Sequence, residues 1–167
     1  DGQMRTLPLT PMSVADFYKK LIGMLGELGI PVRIRELPNE VPDPIPFSQD
    51  RVHASYDAQY ANRYWRVLLQ ADRVLKAFRA RFTGKCSPVH FFWGSNDLAV
   101  TRFSGRPAPV HPGGVPHLPD PVTREAYSQE VSSAGFWPGG GPIEHAAFYS
   151  YAYPVPAGFG NARVQPA

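Results

Sequence analysis

The stretch after Asp57 constrains the fold most, because its apolar residues recur at the spacing of one face of an α-helix. Asp57 can cap this helix, and we expect the helix to end before Gly84. A shorter amphipathic helix is predicted to begin after Ser13, which forms a capping-box pattern with Asp16, and to end at Gly29. The apolar face of the longer helix is predicted to comprise Tyr60, Tyr64, Val67, Leu68, Ala71, Val74 or Leu75, Phe78 and Phe82.

Strands are predicted where aromatic and β-branched residues cluster or alternate. Residues 89–93 and 98–103 flank a Gly-Ser-Asn-Asp turn and favour a hairpin, and residues 147–153 favour a last strand. Residues 30–34 alternate in polarity like a half-buried strand, and residues 5–9 are typical of a strand end. Residues 123–131 favour a short helix or turn, and the glycine-rich segment 135–141 a flexible stretch.

These elements predict an α+β fold with a mainly antiparallel sheet. The hairpin and the last strand should be central, and the two helices should pack on one face. With 19 prolines and 15 glycines among 167 residues, the chain exceeds the common combined usage of about 12%, so it should be rich in loops. We expect one domain over residues 1–160 and a flexible tail over residues 161–167.

Composition also limits location and partners. No apolar run approaches the ~18 residues that a spanning helix needs, so no membrane partner is predicted. Cys86 is the only cysteine, which excludes an internal disulfide and favours a reducing, cytoplasmic setting. The start at Asp1, with no upstream partner for a first strand, favours a fragment of a longer protein.

Several motifs together resemble one family of bacterial proteins, classed as a domain of unknown function. The segments of this chain that carry the resemblance are GKCSPVHFFWG at 84–94, DLAVTRFSGR at 97–106, HASYD at 53–57, REAYS at 124–128 and GFWPG at 135–139. The resemblance implies a longer parent domain and no activity. It also leads us to expect histidine where this chain has Gln129.

The entrance to the longer helix holds a first candidate site. His53, Tyr56 and Asp57 combine an imidazole, a phenol and a carboxylate, which suits a general base or the start of a metal site. A structural alternative explains the same residues, with Asp57 as N-cap and His53 bonded to loop backbone.

The hairpin and its exit hold a second candidate site. His90 and Asp97 are candidate acid–base residues, and Arg102, Ser104 and Arg106 are candidate ligands for a carboxylate or phosphate. The alternatives are a buried His90 bonded to backbone and an ion pair between Asp97 and an arginine.

Other patterns are weaker. Trp137 and its neighbour Phe136 should fold onto a core edge or a ligand pocket, or form a protein-binding surface. Cys86 favours a buried apolar role. The sequence contains neither a phosphate loop nor a nucleophile elbow. The remaining histidines are His111, His117 and His145, and their spacing fits no metal motif.

The leading hypothesis is therefore a small-molecule enzyme or sensor with a His/Asp/Arg pocket for an anionic ligand, with no cofactor predicted. One alternative is a noncatalytic protein-interaction module that uses Phe136 and Trp137. Another, less favoured, is nucleic-acid binding by the basic face of helix 57–82, which contains Arg63, Arg66, Arg73 and Lys76. Self-association through an exposed sheet edge is also expected.

Overall fold

The computed structural model describes residues 2–39 and 41–163 of the chain. These residues form two compact units that divide inside a long helix, after Arg66. The single domain over residues 1–160 stays a prediction. The tail predicted over residues 161–167 lies outside the described residues from residue 164 onward.

The N-terminal unit is built around helix α1 (Val14–Glu27). The Ser13 side chain accepts a hydrogen bond from the backbone N–H of Asp16, so the predicted cap is confirmed. The proline-rich segment that follows bonds back to α1, since the Tyr18 hydroxyl donates to the Glu36 carboxylate over 3.2 Å. The Tyr18 ring also contacts that of Phe47, with centroids 6.0 Å apart.

Two predicted strands of this unit are wrong. Residues 5–9 and 30–34 have no regular secondary structure, and Ile30, Val32 and Ile34 are exposed. Their alternation is real, but a strand needs a hydrogen-bonded neighbour, and every strand of the described residues lies between residues 90 and 153.

Helix α2 (Ala58–Ala80) begins as predicted, with the Asp57 carboxylate accepting from the backbone N–H groups of Gln59 and Tyr60. The buried face of α2 is narrower than the apolar face predicted from the sequence. Tyr60, Val67 and Val74 are exposed, whereas the buried or half-buried residues recur at helical spacing, namely Tyr64, Leu68, Ala71, Asp72, Leu75 and Phe78.

The C-terminal unit contains a four-stranded antiparallel sheet in the order β1-β2-β3-β4. The strands are β1 (His90–Phe92), β2 (Asp97–Pro107), β3 (Gln129–Trp137) and β4 (Ala147–Tyr153). Helix α3 (Asp120–Ala126) lies between β2 and β3 in sequence. The three helices and the antiparallel sheet confirm the α+β class, while the packing of α1 on the sheet stays a prediction.

The centre of the sheet differs from expectation. β2 and β3 are the inner strands, and β1 and β4 form the edges. Residues 135–137 were expected in a flexible stretch but end β3, where Phe136 is only 7% exposed and pairs with Leu98 of β2. Ser132, Ser133 and Gly135 lower the β-propensity of this strand, so its sequence resembles a loop.

The core of the unit lies along these inner strands. Leu98, Ala99 and Val100 of β2 are buried, together with Val131 and Phe136 of β3. At the far end of β2 the register shifts between Phe103 and Pro107, around Gly105 with its φ of 83°. Such a bulge turns side chains away from the regular alternation, which positions the residues described next.

Candidate functional site

A cavity of about 490 Å³ opens in the C-terminal unit at the bulged end of β2. It is bounded by three strand segments and by the chain after β4. Ser104, Arg106 and Arg102 of the sequence-predicted anion site all line it. The other lining residues are mostly apolar, namely Phe82, Phe103, Glu130, Val131, Ser132, Ala152, Tyr153, Pro154, Val155 and Pro156.

Register explains why these residues meet. Arg102 pairs with Ser132 of β3, and Ser132 pairs with Ala152 of β4. Directly paired residues of an antiparallel sheet point to the same face. The cavity therefore lies across β2, β3 and β4, and Arg102 lines it from β2.

Arg102 is held by aromatic and backbone groups. Its guanidinium carbon lies 3.5 Å from the centroid of the Phe78 ring and 5.5 Å from that of Phe82. One Nη donates a hydrogen bond to the Phe78 carbonyl, while Nε is buried and has no hydrogen-bond partner among the described residues. In the described part of the chain, no carboxylate forms an ion pair with Arg102.

Arg106 is different, because Glu130 neutralises it. Arg106 Nε donates to Glu130 Oε2 over 2.8 Å, and the Arg106 backbone N–H donates to the Ser104 hydroxyl over 3.0 Å. Hydrogen bonds from the side chains of Arg106 and Ser104 lower the pKa of Glu130, and the bond from Arg106 has the larger effect. The ion pair of this region thus joins Arg106 to Glu130, and not to Asp97.

The two acid–base candidates of the hairpin do not line this cavity. His90 is exposed on the edge strand, so the alternative of a buried imidazole is wrong. Asp97 is only 7% exposed and accepts hydrogen bonds from the hydroxyls of Ser95 and Tyr149. Burial raises the pKa of Tyr149 strongly, and the hydrogen bond to Asp97 raises it further.

Trp137 also lies apart from the cavity lining. Its indole N–H donates to the Ile143 carbonyl over 3.2 Å, across the turn between β3 and β4. Trp137 is half-buried and Phe136 is buried. The two rings therefore do not form one exposed surface, and both proposed roles for this segment stay predictions.

In the N-terminal unit, His53 pairs with a residue that the sequence analysis missed. His53 Nδ1 lies 2.8 Å from Oδ2 of Asp50, whereas Asp57 caps α2. Asp50 and His53 are three residues apart, so the spacing of the acid was visible in the sequence, but the proline-rich context concealed a folded turn. Tyr56 and His53 line a second cavity, of about 420 Å³.

The remaining titratable candidates are dispersed. In the described part of the chain, no group of three metal-binding side chains clusters. His111 stacks on Tyr127 with centroids 5.0 Å apart, and Cys86 is half-buried. On the basic face of α2, Lys76 pairs with Asp72 over 2.6 Å.

Two further observations concern partners. None of the helices in the described ranges has the length and apolarity to cross a membrane. Both edge strands carry an exposed phenylalanine, Phe92 on β1 and Phe148 on β4, and self-association through these edges stays a prediction.

Glu130 and the segment 154–156 are cavity residues that sequence analysis did not find. Glu130 lies in β3, which was not recognised as a strand, so its register with β2 was unknown. Residues 154–156 follow β4, and their sequence carries no motif that predicts a site.

Comparison with known proteins gives a family and no function. The model of a family of unknown function, DUF5996, matches residues 1–167, and the chain belongs to this family. No curated protein and no solved structure showed significant similarity to the chain.

Proposed function

We propose that this member of the DUF5996 family binds a small anionic molecule in the cavity of its C-terminal unit, with Arg102 as the partner of the anion. One observation carries the proposal: Arg102 lines an apolar cavity of ligand size and lacks a carboxylate partner among the described residues. Ligand cavities commonly measure about 300–1,000 Å³ and combine apolar walls with a few polar groups.

The position of Arg102 favours anion binding for an electrostatic reason. A guanidinium offers five N–H donors, of which the Phe78 carbonyl takes one. A half-buried cation without an anionic partner is costly, and the stacked Phe78 ring limits its motion. A carboxylate or phosphate would use the remaining donors without the cost of first ordering the side chain.

The lining favours binding over acid–base catalysis. Glu130 is the only carboxylate among the described lining residues, and no histidine is among them. The lowered pKa of Glu130 and its bond to Arg106 make it a weak general base. Of the two roles expected for a pocket protein, enzyme or sensor, the cavity favours a sensor.

A matched pair of probes tests the proposal on the full chain. A panel of small aromatic and aliphatic carboxylates and phosphate esters is compared with the corresponding neutral amides and alcohols. Acids that bind should raise the melting temperature and give heat in calorimetry, whereas their neutral counterparts should not.

Variants then assign the effect to Arg102. Arg102→Met removes the charge and keeps most of the stem, and affinity for the acids should fall by about 10- to 100-fold, as expected for a charge-assisted hydrogen bond. Arg81→Met changes an exposed arginine of the same unit outside the cavity lining and should keep the wild-type affinity. The proposal fails if no anion gives a shift that depends on Arg102, or if acids and amides stabilise equally.

A further inference from the structure

We propose that the N-terminal unit carries a second, hydrolytic site, in which His53, oriented by Asp50, acts as a general base on an ester of an apolar acid. The site consists of the Asp50–His53 pair and the cavity of about 420 Å³ that His53 lines. It is independent of the anion site, because all its residues belong to the other unit.

Asp50 fixes the state of the imidazole. Asp50 is buried, with 6% of the residue exposed, and its Oδ1 accepts hydrogen bonds from the backbone N–H groups of Val52 and His53 at 3.1 and 3.0 Å. These hydrogen bonds lower the pKa of Asp50 despite its burial, and the bond from the His53 backbone N–H has the largest effect. An ionised carboxylate only accepts hydrogen bonds, so Nδ1 of neutral His53 carries the proton and Nε2 keeps a free lone pair.

The backbone holds this pair in place. The first N–H groups of α1 bond to the same loop: Val14 N donates to the His53 carbonyl over 3.0 Å and Ala15 N to the Asp50 carbonyl over 2.9 Å. Arg51, between them, bonds Asp16 over 3.3 Å, so the neighbouring cation is itself paired. A base on a loop bonded to a helix end is preorganised, which general-base catalysis requires.

The cavity indicates the substrate class. Its walls are largely apolar, with Leu9, Met12, Val14, Phe17 and Val52 among them. The His53 side chain is 66% exposed, so water reaches the ring while an apolar acyl group can occupy the cavity. Tyr56 lines the same cavity and offers a hydroxyl donor for the developing oxyanion.

The reaction balances without a cofactor. Nε2 of His53 takes a proton from water as the water oxygen bonds to the acyl carbon, and Asp50 stabilises the imidazolium. The bond between the acyl carbon and the alcohol oxygen then breaks. The leaving oxygen takes the proton back from Nε2, which releases an acid and an alcohol and restores the neutral imidazole.

Hydrolysis of p-nitrophenyl acetate and hexanoate by the full chain tests the site. We expect saturation kinetics with a lower KM for the hexanoate, and a loss of roughly 100-fold in rate for His53→Ala. His117→Ala removes an exposed histidine of the other unit and should leave the rate unchanged. A wild-type rate that is linear in ester concentration, or that survives in His53→Ala, overturns the proposal.

Asp50→Asn separates positioning from folding. Asparagine keeps an oxygen for the backbone N–H groups, but its amide can only donate to Nδ1, which moves the imidazole proton to Nε2. We expect kcat to fall by at least about tenfold with KM nearly unchanged. Ring ¹⁵N chemical shifts should report Nδ1–H in the wild type and Nε2–H in the variant. Wild-type protein with Nε2–H, or an Asp50→Asn variant with full kcat, refutes the role of Asp50.

Discussion

Gly135→Ala should destabilise the C-terminal unit, although the position lies in a strand where alanine is normally preferred. Gly135 of β3 pairs with Tyr149 of β4, and a methyl group there would overlap the Tyr149 ring. The Tyr149 hydroxyl bonds to Asp97 of β2, on the far side of β3. Because Gly135 has no side chain, Tyr149 has room to lie across β3 and reach the buried carboxylate of Asp97.

The magnitude follows from two opposing contributions. A displaced ring loses the hydrogen bond to the Asp97 carboxylate, worth about 1.5–3 kcal/mol because one partner is charged. Alanine in place of glycine recovers about 0.5–1 kcal/mol of conformational entropy in a strand interior. The net loss should be about 0.5–2.5 kcal/mol, and Tyr149→Phe alone should cost about 1.5–3 kcal/mol.

Urea unfolding followed by tryptophan fluorescence measures these losses. The chain has three tryptophans, and in a Trp65→Phe background the remaining two, Trp93 and Trp137, both report on the C-terminal unit. Gly160→Ala serves as the control, since an added methyl there meets nothing, and should change stability by less than about 0.5 kcal/mol.

A double-mutant cycle decides the mechanism. In the Tyr149→Phe background the hydrogen bond is already lost, so Gly135→Ala should cost about 1.5–3 kcal/mol less than in the wild type. If the two substitutions add within about 0.5 kcal/mol, Gly135 does not act through Tyr149 and the reasoning is refuted.

Two further predictions concern pH and capping. Burial raises the pKa of Tyr149 and Tyr127 strongly, whereas unfolded tyrosine ionises near 10.0. The unfolded chain therefore releases its tyrosine protons at a lower pH than the folded chain. The urea midpoint of the C-terminal unit should be steady from neutral pH to about pH 10 and fall above it, and the fall should be smaller in Tyr149→Phe. An unchanged midpoint above about pH 10 would contradict this. Ser13→Ala should cost about 1 kcal/mol of N-terminal stability by far-UV circular dichroism, because it removes the α1 cap and the hydrogen bond that lowers the pKa of Asp16. Ser55→Ala, at an exposed loop position, is the control, and equal stability of both variants would exclude a capping role.

Sequence patterns were sufficient where the physical cause is local. The caps at Ser13 and Asp57 use side chains within three residues of the groups they bind, and both helices were located from them. β4 was predicted with its observed bounds, because six of its seven residues are aromatic or apolar.

Patterns failed where structure depends on distant partners. β3 contains small residues because Tyr149 crosses it at Gly135 and because the Ser133 hydroxyl pairs with that of Thr101. Both requirements come from other strands, so the strand itself has no strong β signal. The segment 30–34 has that signal but no neighbouring strand.

The candidate sites divide in the same way. Of the second candidate site, Arg102, Ser104 and Arg106 line one cavity because they lie within five residues at one strand end, whereas His90 and Asp97 lie outside its lining. Glu130 joins this cavity only through the register of β3, and Asp50 reaches His53 only through a turn, so neither was predicted.

The strand order has a kinetic consequence. Each strand of the sheet pairs with its neighbour in sequence, so no strand must wait for a distant segment before it can pair. The three connections differ in length: residues 93–96 join β1 to β2 and residues 138–146 join β3 to β4, whereas residues 108–128 separate β2 from β3. Closing the longest loop costs the most chain entropy, so the β1–β2 and β3–β4 hairpins should form first and the pairing of β2 with β3 should follow. Gly135 and Trp137 therefore lie on a strand that pairs with β4 in a local hairpin and with β2 in the slower step that joins the two hairpins.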